Sequence, residues 1–179
     1  MEVSEEHWFF LEALSKLNAR FPIVRDEHLY YYSEECAKAY IAGWGLQKLA
    51  NAFRQLGTKL TKAQKAQLGI TSTKAIGSDF IQTLLPLGLQ DPEEAARAIA
   101  NAGAHQYRLN RHFSLCVKGG YDVRLIIRSD EGTCTAARRF AGAYCSVTEF
   151  KGFPLDECRK WTCRCTINRH VASMGGWRL

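Results

Sequence analysis

Five of the seven cysteines, Cys134, Cys145, Cys158, Cys163 and Cys165, fall within 32 residues, while Cys36 and Cys116 stand alone. Thiols so closely grouped suit either tetrahedral metal ligation or a thiol-lined core. The first residues, Met-Glu-Val-Ser-Glu-Glu, are acidic where a signal peptide is basic, so the expected setting is reducing and disulfides are disfavoured. There is no Cys-x-x-Cys pair. Cys163 and Cys165, two apart on a predicted strand, fall on one side of it, and Cys158 precedes them by a short loop. Cys134 completes a four-cysteine zinc site, with Cys145 and His170 as alternate fourth ligands. Buried, unligated thiols are the competing reading.

A second chemistry rests on carboxylates. Glu149-Phe150-Lys151 on a predicted strand, with Asp122 or Asp130 upstream, has the Asp…Glu-x-Lys form in which two carboxylates hold Mg²⁺ and a lysine assists the attacking water of a nuclease. The three-letter core of that pattern also describes an ordinary exposed ion pair. A zinc deaminase is excluded by the lack of His-x-Glu and Pro-Cys-x-x-Cys. Arg138, Arg139, Arg159, Lys160, Arg164 and Arg169 surround the cysteines and form a candidate nucleic-acid surface.

The chain of 179 residues carries 24 Lys/Arg and 18 Asp/Glu, a net charge of +6. Residues 1–50 hold 5 basic and 8 acidic side chains, whereas residues 51–179 hold 19 and 10. An excess of that sign favours polyanionic partners or serves solubility. No apolar run reaches the ~18 residues a membrane-spanning helix requires, so no membrane partner is expected.

The elements that must position these groups divide into a helical first part and a short-stranded second. Trp8, Leu11, Leu14 and Leu17 mark an amphipathic helix over 4–21, with Ser4 as N-cap and Pro22 beyond its end. Ser33-Glu34-Glu35 opens a second helix whose apolar stripe continues to Gly57. Thr61 with Gln64 forms a capping-box pair, Ser78 caps a helix ended by Pro86, and Asp91-Pro92-Glu93-Glu94 starts a helix running to about 112. Val123, Leu125 and Ile127 alternate with Arg124 and Arg128 as a half-buried strand. Short strands are expected again over 144–150 and 161–167.

The stretch from Arg124 through Arg128-Ser-Asp-Glu-Gly-Thr-Cys134, then Gly142-Ala-Tyr144, Pro154-Leu-Asp-Glu-Cys158 and Trp161-Thr-Cys163-Arg-Cys165-Thr166 resembles the C-terminal domain of the phage Mu F-like minor head, or head morphogenesis, proteins. The resemblance covers about residues 90–168, and the closing Cys-Arg-Cys-Thr is its most specific part. Ala137 stands where the family has the second cysteine of its first pair, and the step from Gly142 to Tyr144 is one residue shorter than the family's. The resemblance implies a structural role in head assembly near the portal, with portal and capsid proteins as partners, and DNA as a further one. It implies a location in the bacterial cytoplasm or the virion, and no catalytic residue.

The expected architecture is α+β: a helical region over 1–90 followed by a Mu F-like region over 91–179 of short strands with a cysteine cluster, or one compact domain over 1–179. The function expected is that of a phage or prophage minor head protein stabilised by zinc or clustered thiols. The alternatives are a metal-dependent nuclease or phage-derived effector, and a zinc-stabilised nucleic-acid-binding regulator.

Overall fold

Helices account for most of residues 5–104. A computed structural model describes this stretch together with residues 123–128, 144–146, 161 and 166–171. The chain divides into two compact units, Met1–Ala104 and His105–Leu179.

In the first unit, α1 (Glu5–Arg20) leads through a 3₁₀ turn (Asp26–His28) into α2 (Leu29–Ile41), followed by α3 (Leu46–Arg54), α4 (Lys62–Gln67), α5 (Ser78–Thr83) and α6 (Pro86–Gln90). A further helix, α7, occupies 92–104 of the described residues. α1 supplies Phe10, Leu14 and Leu17 to a core shared with Tyr32 of α2, Phe53 of α3 and Phe80 of α5. Trp8, the first residue of the expected stripe, is 60% exposed, and the buried face passes through Phe10 and Ala13 instead. Rings meet edge to face at its centre, with Tyr32 4.9 Å from Phe53 and 6.5 Å from Phe80 between centroids. The alanines of α7, Ala95, Ala96 and Ala100 among them, are buried and allow close approach. A Cβ at Gly103 would fall 2.4 Å from Phe10 and 3.2 Å from the Cys36 sulfur, so α7 packs against α1 and α2. The helical body therefore extends through residue 104, past the expected boundary at 90.

The expected α+β class is corrected by this body. Residues 5–104 close their core by helix packing alone, and β-type pairing within them is limited to two isolated bridges, Val24↔Leu84 and Lys59↔Gly77. The physical reason is that each helix in this unit finds its apolar partner in another helix, leaving no open face for a sheet to cover. The long second helix is corrected as well. Gly43 adopts φ 68°, with Gly43 N–H donating to Tyr40 and Trp44 N–H to Ala39, a left-handed cap that ends α2. Gly45 then provides the extended residue from which α3 starts. Gly69, at φ 69°, closes α4 in the same way, with Ile70 N–H reaching the Lys65 carbonyl.

Start signals hold at α4 and α7 but not at α2, which begins at Leu29, so that Ser33 is a buried residue within the helix rather than its opening. Thr61 and Gln64 exchange both capping-box bonds, at 3.2 and 2.9 Å. Asp91 accepts from Glu94 N–H at 3.0 Å and caps α7. Gly77, rather than Ser78, is the N-cap of α5, and Pro86 opens α6 from its first position. Ser4 and the continuation of α7 toward 112 lie outside the described residues.

In the second unit the described residues are three extended segments: β1 (Val123–Arg128), β2 (Tyr144–Ser146) and β3 (Thr166–Val171). They pair antiparallel in the order β2-β1-β3. β1 meets β2 with Leu125 opposite Cys145, and β3 with Leu125 opposite Arg169. The last strand begins at Thr166, after the cysteines that the sequence placed on a strand over 161–167. Trp161 lies in a bend.

Candidate functional site

Two groups of residues compete for a functional role: those singled out by sequence, in the second unit, and a polar cleft in the first.

Of the candidate metal ligands, Cys145 on β2 and His170 on β3 have a described backbone. Cys134, Cys158, Cys163 and Cys165 lie outside the described residues. The register puts Cys145 in one row with Leu125 and Arg169, and His170 in the next row with Arg124 and Ser146. Neighbouring rows of a pleated ladder belong to opposite faces, so Cys145 and His170 are alternates for sites on different faces. A zinc held with Cys145 and a zinc held with His170 are thus two distinct arrangements. Among the described residues no group of three His, Cys, Asp or Glu side chains is placed to hold a metal.

The nuclease candidates Asp122, Asp130, Glu149 and Lys151 also lie outside the described residues. So do Arg138, Arg139, Arg159, Lys160 and Arg164 of the basic set, leaving Arg169, which occupies the Leu125 row of β3. Strand direction still constrains the carboxylates. The antiparallel pairing sets Arg124 opposite Ser146, so β1 begins where β2 ends. Asp122 is joined to the first residue of β1 and Glu149 follows the last of β2 by three residues, whereas Asp130 follows the far end of β1.

The cleft in the first unit has a volume of about 460 Å³ and is lined by Arg25, Glu27, His28, Tyr31, Leu56, Asp79, Gln82 and Thr83. Its floor is held firmly. Asn18 near the end of α1 accepts from the Ile23 and Val24 amides at 3.0 and 2.9 Å and donates to the Val24 carbonyl and to Asp26, both at 2.8 Å. One buried amide side chain thereby fixes the turn that carries Arg25, Glu27 and His28. Arg25 N–H donates to the Thr83 carbonyl, and Arg25 Nε to that of Gln82 at 3.0 Å, tying this turn to α5. The Thr83 hydroxyl donates to the Phe80 carbonyl, so the Tyr32 hydroxyl, 2.7 Å away, donates to Thr83. Burial pushes the Tyr32 phenol well above its ordinary value, and burial together with Glu35 raises that of Tyr31. Glu27 and Asp79 bring two carboxylates against the one guanidinium of Arg25, and Leu56 with the Tyr31 ring adds apolar wall, so the cleft mixes polar and apolar surface with a small acidic excess.

A buried His–Ser pair resembles a catalytic dyad in composition alone. His7 Nε2 lies 2.6 Å from Ser33 Oγ, and both residues are buried. Ser33 spends its single proton on the Tyr30 carbonyl at 2.7 Å, so His7 is the donor in the pair and cannot accept the serine proton in this arrangement. The His7 ring also meets Tyr30 edge to face at 4.5 Å. The pair locks α1 to α2. Cys36 is equally inert: burial raises its thiol pKa far above the ordinary value.

At the start of α7, Lys74 holds the Glu93 carboxyl below its usual range, assisted by Arg54 and Arg97. Lys65 donates to the Ser72 and Lys74 carbonyls and so fixes the loop that presents Lys74. Arg97 also pairs with Glu94, so the network joins the Lys74 loop to α7, with Arg54 of α3 adding its charge near Glu93. Its role is structural.

Sequence reasoning missed the cleft because its walls come from 25–31 and 79–83, with no local pattern linking them. It missed Asn18 because an asparagine near the end of a helix reads as an ordinary cap. Comparison with protein-family models, curated proteins and solved structures finds no match. No helix among the described residues is long and apolar enough to cross a membrane.

Proposed function

We propose that the chain is a minor head, or head morphogenesis, component of a phage or prophage. It acts in assembly near the portal and DNA, with the thiol-bearing end of its second unit held by zinc or by the clustered thiols themselves. The observation that supports this reading is the register Arg128↔Thr166. The stretch resembling the family opens on Arg124–Arg128 and closes on Cys163-Arg-Cys165-Thr166, and the two ends are cross-strand partners. The chain therefore leaves β1 and enters β3 at the same end of the ladder, with Asp130 just beyond one junction and Cys165 just before the other, and it passes through β2 (Tyr144–Ser146) in between. A metal or a thiol core that tied cysteines near those two junctions together would close the intervening chain and offset its conformational entropy.

Co-expression with the portal and capsid proteins encoded beside its gene tests the role. The expected result is co-sedimentation with assembled heads or portal rings. Heads that form with full efficiency and never contain the chain would sink the reading. Metal analysis separates the two forms of stabilisation: one zinc per chain, lost in a Cys163→Ser, Cys165→Ser double variant, identifies ligation, and metal-free protein with slow-reacting thiols identifies a thiol core.

A further inference from the structure

The ladder of the second unit sorts its residues by chemistry. One set of rows contains Val123 with Val171, then Cys145, Leu125 and Arg169, then Ile127 with Ile167. The alternate rows contain Ser146, Arg124 and His170, then Tyr144, Ile126 and Asn168, then Arg128 with Thr166. Alternate rows share a face. The first face is apolar apart from Arg169, the pattern of a face that packs on a core. The second is polar and basic around a central Ile126, and no Asp or Glu occurs in any of the three strands.

We infer that this second face binds the phosphodiester backbone of nucleic acid. Its layout is two outer rows bearing Arg124 with His170 and Arg128, and a middle row bearing Tyr144 and Asn168. Arg124 and Arg128 are four residues apart on one strand, about 13 Å, which spaces them for separate phosphates. The row between them carries Tyr144, a residue type that stacks on bases, beside Ile126 and Asn168, and the amide and hydroxyl residues of this face supply hydrogen-bonding groups. The surrounding unit adds to the attraction, since residues 105–179 hold 13 Lys/Arg against 6 Asp/Glu. The inference goes beyond the assembly reading and needs only the register. A head component that never touches nucleic acid would pass the co-sedimentation test and fail this one.

The test is fluorescence anisotropy of the full chain with a labelled single-stranded 20-mer and its duplex across a salt series. An Arg124→Gln, Arg128→Gln double variant is expected to bind at least tenfold more weakly. Its slope of log K against log salt should fall by about 1.4 for the single strand or about 1.8 for the duplex. The corresponding Lys, Lys variant should retain the slope, and circular dichroism of each variant separates lost binding from lost folding. Arg169→Gln removes one charge from the other face and is expected to change affinity less than twofold. Tyr144→Leu distinguishes the two sources of phosphodiester: it weakens the single strand and leaves the duplex unchanged. Absence of binding at 50 mM salt, or a loss per charge at Arg169 equal to that at Arg124 and Arg128, would overturn the proposal.

Discussion

Residues 1–104 and 105–179 divide the labour of this chain in opposite ways. The first unit holds 11 Lys/Arg against 12 Asp/Glu and one cysteine, while the second holds 13 against 6 and the other six cysteines. In the first, charges are spent on internal networks such as Lys74–Glu93–Arg97, and the polar hubs His7–Ser33 and Asn18 serve packing. In the second, the ladder carries Arg124, Arg128 and His170 on one face and Arg169 on the other, with no carboxylate in its strands. The unit that holds six of the seven cysteines and the basic excess also holds the residues that could bind metal or phosphate, and the helical unit buries a core of aromatic and aliphatic side chains of its own.

The most severe way to break this comparison is to open the helical body alone. Phe80→Ala removes a fully buried ring in edge-to-face contact with Tyr32 and is expected to cost about 3–5 kcal/mol. Cys36 is an internal reporter, since it is buried between α2 and α7. Alkylation followed by peptide mass spectrometry should show Cys36 modified about two to four orders of magnitude faster in the variant. The six cysteines of the second unit should keep their rates. Equal acceleration of all seven would show that the two units open together.

A smaller lesion tests where the first unit ends. Gly103→Ala sets a methyl group against Phe10 and Cys36, and overpacking of this kind costs about 1–3 kcal/mol. The urea midpoint followed by ellipticity at 222 nm should fall accordingly. An unchanged midpoint would detach α7 from the helical body and return the boundary to the neighbourhood of residue 90.

That boundary illustrates what the sequence could reveal. Asp91-Pro92-Glu93-Glu94 announced the start of α7, because an N-cap, a proline at N1 and acids in the first turn are local chemistry. Nothing local announced that α7 would pack on Phe10 and Cys36, which are more than 60 residues away. Gly43 was misread within an apolar stripe because periodicity does not sense a single left-handed residue, although Gly43 and Gly45 flanking Trp44 were the available signal. For the site, alternation over Val123–Arg128 disclosed one apolar face. Only the pairing of β1 with β3 brought Arg124 beside His170 and put Arg169 on the other side. Register is set by partners far along the chain, so a cluster of basic residues in sequence says little about which of them share a surface.

The mildest test uses pH to ask whether the body's buried polar groups are structural. Burial raises the Tyr32 phenol above its ordinary value, so the folded state favours the protonated form. The stabilisation is then complete below about pH 10, the ordinary tyrosine value, and is lost as pH rises from there toward the folded pKa, because the unfolded chain ionises first. Cys36, raised by burial in the same sense, adds a similar loss beginning near its own ordinary value. Tyr32→Phe removes the hydroxyl that donates to Thr83, a cost of about 1 kcal/mol near neutrality, while Thr83 keeps its bond to the Phe80 carbonyl. The variant also removes the alkaline penalty, which grows by as much as about 1.4 kcal/mol per pH unit above the ordinary value. Wild type should therefore be the more stable protein up to about pH 10, and the order should reverse by about pH 11 in urea melts. Parallel curves with no crossing would show that the Tyr32 hydroxyl reaches solvent in the native body, and the contrast between a dry helical unit and a charged ladder would lose its sharpest element.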